Sequence, residues 1–190
     1  TIGWSFALDN ALTQYLGEGE TVTATYDLTV RDDSATGSSD QAQQVTVVIT
    51  GANDAPATLS VSADNFDEIE STVTDNTTLA PTELNPAWLK IADLSTTDVD
   101  QTDIHSYTIV GGADAAFFRL TGTNSSVLEL TPAAPVDAEV RSSYEVEIQT
   151  TDTEGATQTQ VFTINVNDID EYDVQRPTFD VNNSFEGFEP

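Results

Sequence analysis

Apolar and polar side chains alternate with a period of two along most of this chain, the mark of half-buried β-strands. Residues 22 to 30 are the clearest case, with Val22, Ala24, Tyr26, Leu28 and Val30 on one face and Thr23, Thr25, Asp27 and Thr29 on the other. A polar loop over residues 32–40 turns the chain, and Val45, Val47 and Ile49 form the returning strand of a hairpin. Upstream, Trp4 to Leu8 also alternates and predicts a short strand that ends at Asp9-Asn10. Three strands cannot close a sandwich, and alone they would leave an apolar face in water. The first unit, residues 1–56, is therefore expected to be incomplete. Its early strands lie either upstream of Thr1, the favoured reading, or in the tail after Val174.

Beyond Pro56, Leu59, Val61 and Ala63 alternate, and Phe66-Asp67-Glu68-Ile69-Glu70 continues as an acidic edge segment. A loop containing Pro81 and Pro86 follows, then a strand from Trp88 to Ala92 and another carrying His105, Tyr107 and Ile109. Gly111-Gly112 turns the chain. Phe117 to Leu120 pairs with Val127 to Leu130, and Tyr144-Val146-Ile148 and Phe162-Ile164-Val166 complete the series. About seven short strands at regular intervals, with no helical stretch, predict an antiparallel β-sandwich over residues 57–173. Residues 174–190 are a tail or the start of a further module. The expected fold class is all-β, tandem antiparallel β-sandwich modules with the first one incomplete.

The units meet at Thr50-Gly51-Ala52-Asn53-Asp54-Ala55-Pro56. Pro56 has its φ fixed by the ring and pushes Ala55 toward an extended conformation, so the joint is short and stiff. Asn53 and Asp54 place two oxygen-bearing side chains there, and a hard cation such as calcium would bridge them to neighbouring acids. Charge strengthens this reading, since 33 Asp and Glu stand against 5 Lys and Arg, a formal net charge of −28. Like charges a few ångströms apart repel by roughly 1 to 4 kcal/mol, depending on the local dielectric. Carboxylates clustered at a joint therefore destabilise it unless a cation neutralises them, whereas scattered ones form a solvated surface. The same charge excludes nucleic acid as a partner, because its phosphates need basic side chains. Without cysteine there is neither a disulfide nor a thiolate metal site, and no run of 18 apolar residues could span a membrane as a helix. No signal peptide is visible at Thr1 and the chain begins in mid-pattern, so it is expected to be a segment of something longer.

An internal repeat supports the tandem arrangement. Glu18-Gly19-Glu20 precedes Tyr26-x-Leu28-x-Val30-x-Asp32, a Val/Ile alternation and Asn53-Asp54. Asp137-Ala138-Glu139 precedes Tyr144-x-Val146-x-Ile148, Asp152, Phe162-Ile164-Val166 and Asn167-Asp168-Ile169-Asp170-Glu171. Each copy ends in an acidic joint, as in a linear array whose modules touch at their ends. On these motifs residues 57 to 172 resemble a bacterial cadherin-like domain: Asp98-x-Asp100 is similar to its DxD, Asp137-Ala138-Glu139 to its DRE, Asp152 to its late-strand aspartate, and Asp168-Ile169-Asp170-Glu171-Tyr172 to its DxNDN linker. Residues 1 to 56 resemble the second half of a VCBS repeat, through Leu8-Asp9-Asn10-Ala11 and Ile49 to Pro56. Together these resemblances imply cadherin/Ig-like sandwiches in a repetitive RTX-type adhesin, exported by type I secretion to the bacterial cell surface and active in biofilm adhesion.

The same resemblance implies where calcium would bind. At the first joint the ligands would be Glu18, Glu20, Asn53, Asp54, Asp98, Asp100 and Asp152. Gly51 and Ala55 stand where the family has side-chain ligands, so one ion is expected, nearest Asp98 and Asp100. At the second joint Glu68 or Glu70, with Asp137, Glu139, Asp168, Asp170 and Glu171, would form a half-built site. An EF-hand is excluded, because Asp103 stands where its glycine belongs and Ile109 where its glutamate belongs. A glycosidase carboxylate pair needs a cleft and a raised pKa, which strand-end aspartates do not supply, so no enzyme activity is expected. His105, the single histidine, reads as a packed or rim residue of its strand; Gly111-Gly112-Ala113-Asp114 reads as a turn; Trp4 and Trp88 could line a sugar site, though in a small sandwich a tryptophan is more often core. The expected role is a calcium-rigidified extender whose partners are neighbouring modules of the same chain. The alternative is a ligand-binding or split scaffold module that recognises a sugar or a protein.

Overall fold

The structure is a computed structural model, described here for residues 3–30, 41–68, 87–138 and 140–168. The first unit is a hairpin of β1 (Thr21–Val30) and β2 (Gln41–Thr50), paired antiparallel without a bulge from Thr21 opposite Thr50 to Val30 opposite Gln41. This register lays Val22, Ala24 and Tyr26 against Ile49, Val47 and Val45 on one face. Among the described residues no further strand joins the pair. Tyr26 and Leu28 consequently stay 45% and 41% exposed.

The strand expected over Trp4 to Leu8 does not form. Residues 3–9 have no regular structure, and the chain then makes a single 3-10 turn, Asn10–Leu12, capped by the Asp9 carboxylate. Alternation alone did not suffice there, because these residues lie along no strand edge and gain no ladder hydrogen bonds. Phe6 instead packs its ring against Tyr26, with centroids 6.2 Å apart.

The second unit is a two-layer sandwich, as the period-two pattern requires. One sheet has the order β4 (Asn65–Asp67), β10 (Thr157–Asn167), β9 (Ser143–Thr151), β6 (Ser106–Gly111); the other runs β3 (Thr58–Val61), β5 (Leu89–Thr97), β8 (Val127–Leu130), β7 (Phe118–Thr121). The first strand is split: β3 pairs antiparallel with β5, then the chain crosses to the other sheet and β4 pairs parallel with β10. The split raises the strand number above the seven expected. Read as A to G, the orders are A-B-E-D and A′-G-F-C, the strand order of an immunoglobulin-type sandwich. Two further single 3-10 turns, Ala115–Phe117 and Thr123–Ser125, sit where no helical stretch was expected.

The inward rows of the two sheets meet in a core of Leu59, Ile91, Leu94, Leu128, Leu130, Val136, Tyr144, Val146, Ile148, Ile164 and Val166. A bulge in β5 between Lys90 and Ala92 turns both Ile91 and Ala92 inward. Tyr144 is held by polar as well as apolar contacts. Its hydroxyl donates to the Pro135 carbonyl, Phe117 and Phe118 meet its ring edge-on, and the Arg141 guanidinium lies 4.4 Å from its centroid. Burial pushes its hydroxyl up to about 12, against the opposing pull of Arg141. This is the tyrosine-corner device of such sandwiches, which pins the start of strand F to the preceding crossover. Gly112, at φ 101°, lets the turn after β6 lie on β9, since a Cβ there would sit 2.6 Å from the Val146 Cα.

Candidate metal centre

The inward rows of the core do not stop at apolar residues. Along β9 the buried row Tyr144, Val146, Ile148, Thr150 continues with period two to Asp152, and along β5 the row Leu94, Thr96 continues to Asp98. Thr96 ties these rows together at the end of the core, hydrogen-bonding the Thr150 hydroxyl at 3.0 Å and the Tyr107 hydroxyl at 3.2 Å. Two strands from opposite sheets thus deliver a carboxylate each to the same pole, the one that meets the linker.

Local turns fix each side chain. Asp152 Oδ1 accepts from the amides of Glu154, Gly155 and Ala156 at 3.1, 2.6 and 2.7 Å, and Gly155 closes the turn at φ 96°. Asp98 Oδ1 accepts from the Asp100 amide at 3.1 Å, while its Oδ2 meets His105 Nε2 at 3.1 Å. From the linker, Asn53 Nδ2 donates to Asp152 Oδ2 at 3.0 Å and the Asp54 amide donates to Asp100 Oδ2 at 2.7 Å. The Asp98-to-Asp103 loop then folds Asp103 back over the pole. Asp98, Asp103 and Asp152 bring one carboxylate oxygen each to within 4.8 Å of one another.

Three oxygens at this pole are buried without a hydrogen-bond partner: Asn53 Oδ1, Asp100 Oδ1 and Asp103 Oδ2. Asp100 as a whole is only 2% exposed. Buried acceptors left unsatisfied each cost about 1 to 3 kcal/mol, and more when charged. Burial raises the Asp103 carboxyl above its usual range, and the charges of Asp100, Asp98 and Asp152 push the same way, while His105 pulls it down. For Asp152 burial also opposes ionisation, but the hydrogen bonds from Asn53 and the amides of Ala156, Gly155 and Glu154 outweigh it and hold the carboxyl low. Glu154, on the surface beside the pole, is raised by desolvation and by the charges of Asp103, Asp152 and Glu18. The donor set consists of oxygens alone, several anionic and several without a proton to accept from. That set fits a hard cation, and calcium takes six to eight such ligands.

Of the residues expected at this joint, Asn53, Asp98, Asp100 and Asp152 converge as described. Asp54 contributes its backbone amide. Glu20 is engaged elsewhere: its Oε2 accepts from the Gly17 amide at 3.1 Å and its Oε1 from the Thr102 hydroxyl at 3.1 Å, so it clasps the first unit to the second. Glu18 is exposed, close enough for its charge to act on Glu154. The clasp is tightened by Gly51, where a methyl group would overlap the Leu16 and Gly17 carbonyl oxygens, and by the hydrogen bond from the Gly51 amide to the Glu20 carbonyl at 2.8 Å. At the opposite pole Glu68 is buried and accepts from the Ala138 amide at 2.7 Å, Asp137 caps a turn by accepting from the Val140 amide at 2.9 Å, and Asp168 is exposed. Glu70, Glu139, Asp170 and Glu171, together with the tail after Val174, lie outside the described residues. Among the described residues, the gathering of three acids within ligand reach falls at the linker pole.

Sequence reasoning missed Asp103 as a member of this cluster and placed His105 within a strand. In the structure β6 starts at Ser106, and His105 is a partner of Asp98. The two tryptophans are not core residues either, at 60% exposed for Trp4 and 37% for Trp88. Spacing could have flagged Asp103, since Asp98-x-Asp100-x-x-Asp103 puts three acids on one short loop.

Fold and site together define an all-β sandwich module with an oxygen-lined pole at its junction with a preceding β-hairpin unit. Similar solved structures are cadherin extracellular regions. They include a protocadherin gamma B7 EC3–6 cis-dimer (18% identity, TM-score 0.49, 85% of this chain and 35% of that one) and Drosophila N-cadherin EC1–4 (14% identity, TM-score 0.47, 82% of this chain and 36% of that one). Protocadherin gamma B2 domains 1–5 are similar at 15% identity and TM-score 0.48, over 77% of this chain and 27% of that one. The chain spans about a third of the length of these structures. No family model and no curated protein matches it.

Proposed function

We propose that this chain is a calcium-stiffened extender segment of a large bacterial surface adhesin, which holds a ligand-binding tip away from the cell. In this reading residues 1–56 are the closing part of one module, residues 57–173 a complete module, and residues 174–190 lead into the next. The observation that carries it is the set of buried, partnerless oxygens of Asn53, Asp100 and Asp103 beside the Asp98, Asp103 and Asp152 carboxylates, where the linker meets the sandwich. Asn53, Asp98, Asp100, Asp103 and Asp152 would hold the ion, which supplies positive charge and coordination to oxygens that otherwise repel one another. The ligands come from the linker and from both sheets of the sandwich, so a bound ion ties the joint to the module and removes its freedom to hinge.

Extracellular modules of this kind bind calcium at around 0.1 to 1 mM, so stiffness follows external calcium. Small-angle scattering of the chain in calcium and in excess chelator tests the proposal. The maximum dimension and its spread should change when calcium is removed, and the variant Asp98→Ala/Asp103→Ala should behave as the chelated protein does in either buffer. A particle whose dimensions are the same in both buffers contradicts the extender reading.

A further inference from the structure

On a chain with a net charge of −28, positive charge is scarce enough that its placement carries information. Arg141 is consumed internally: it pairs with Asp114, donates from Nε to the Ser143 carbonyl at 3.0 Å, and stacks over Tyr144. The other two described cations, Lys90 and Arg119, flank Glu129 from the two neighbouring strands on the outer face of the β5-β8-β7 sheet, each opposite it in the cross-strand register. Lys90 is neutralised by Asp93 at 2.8 Å. Arg119 is only half used. Its Nε donates to Glu129 at 2.6 Å and its guanidinium lies 4.0 Å from the centroid of the Trp88 ring, while its two terminal amino groups have no partner among the described residues. Trp88 remains 37% exposed beside it.

We propose that Trp88 and Arg119, framed by Lys90 and Glu129, form a binding site for a carboxylate-bearing saccharide of the uronic-acid class. A guanidinium presents its donors as a planar fork that matches a carboxylate edge-on, and stacking on an aromatic ring with one nitrogen already bonded removes the rotamer freedom that binding would otherwise cost. Trp88 offers an apolar ring surface to the C–H face of a sugar next to that carboxylate. The Trp88 ring selects a saccharide over an acidic peptide, because its apolar surface matches the C–H face of a pyranose next to the carboxylate, which a glutamate side chain lacks. The site lies on a sheet face rather than at the linker pole and does not depend on the ion there.

The test is an NMR titration of the full chain, in calcium and in chelator, with a short oligogalacturonate, a neutral oligosaccharide of equal length and a short polyglutamate. The Trp88 indole N–H should shift with the oligogalacturonate alone and in both buffers. Arg119→Gln should weaken that binding at least tenfold, and Arg119→Lys, which keeps the charge but loses the fork, should not restore it. Glu129→Gln removes the competing carboxylate and should tighten binding severalfold. Unshifted Trp88 resonances, equal affinity of the Arg119→Gln variant, or equal response to polyglutamate would overturn the proposal. None of these outcomes bears on calcium stiffening, which scattering reads separately.

Discussion

Asp103→Asn separates the two parts that this residue plays, because the substitution should stabilise the protein without calcium and weaken its response to calcium. Asp103 lies with Asp98 and Asp152 inside a 4.8 Å circle of oxygens. Each pair of unit charges at that distance repels by about 0.9 kcal/mol in water and about 3.5 kcal/mol at an effective dielectric of 20. Solvent reaches part of the loop, so the lower part of this range applies, and relief of about 1 kcal/mol is expected in chelator at neutral pH. In calcium that relief is offset. With a dissociation constant of 0.1 to 1 mM, 10 mM calcium stabilises the native state by about 1.4 to 2.7 kcal/mol. Loss of one anionic ligand should weaken affinity about tenfold or more and remove about half or more of that gain. Urea denaturation of both proteins, each in chelator and in 10 mM calcium, reads the four values. A variant less stable in chelator and with an undiminished calcium gain would refute the assignment of Asp103 to the ion site.

The pH dependence without calcium should carry two opposite contributions. Asp152 is held low in the folded state, so its share of stability is present above the ordinary carboxylate range and is lost as pH falls through its folded value; Asp103 is held high, so the native state binds its proton more tightly and stability falls as pH rises through the window just above 3.8. Denaturation midpoints of wild type and Asp103→Asn across pH 3 to 7 should therefore diverge above that window, and parallel curves would contradict it. Gly51→Ala should destabilise the junction by about 1 to 3 kcal/mol through overlap with the Leu16 and Gly17 carbonyls, seen as faster proteolysis between the hairpin and the sandwich. Tyr144→Phe leaves the Pro135 carbonyl without its hydroxyl donor and should cost about 1 to 3 kcal/mol in chemical denaturation, with no change in calcium affinity.

The sandwich was legible in the sequence wherever a strand buries one face. Val127 to Leu130 and Tyr144, Val146 and Ile148 alternate because their inward side chains meet the opposite sheet, and the observed strands include them. Trp4 to Leu8 alternates just as well, but a strand needs a partner edge as well as a pattern, and that information is not local. The site was legible in part for a related reason. Asp98 and Asp152 continue the inward periodicity of β5 and β9, so their convergence follows from the fold once the sheets are assigned. Asp103 reaches the same point through the loop that follows Asp100, and no periodicity marks where a loop residue will lie. Glu20 has the composition of a ligand yet serves as a clasp, because Gly17 and Thr102 supply its hydrogen bonds, and Thr102 is distant in sequence.

Anomalous diffraction from crystals grown in calcium, or soaked with a lanthanide in its place, reads the linker pole directly. One strong peak is expected within about 2.3 to 2.6 Å of oxygens from Asp98, Asp103 and Asp152, with Asp100 and Asn53 completing the shell. Those carboxylates hydrogen-bonded only to water, with the bound cations elsewhere, would contradict it.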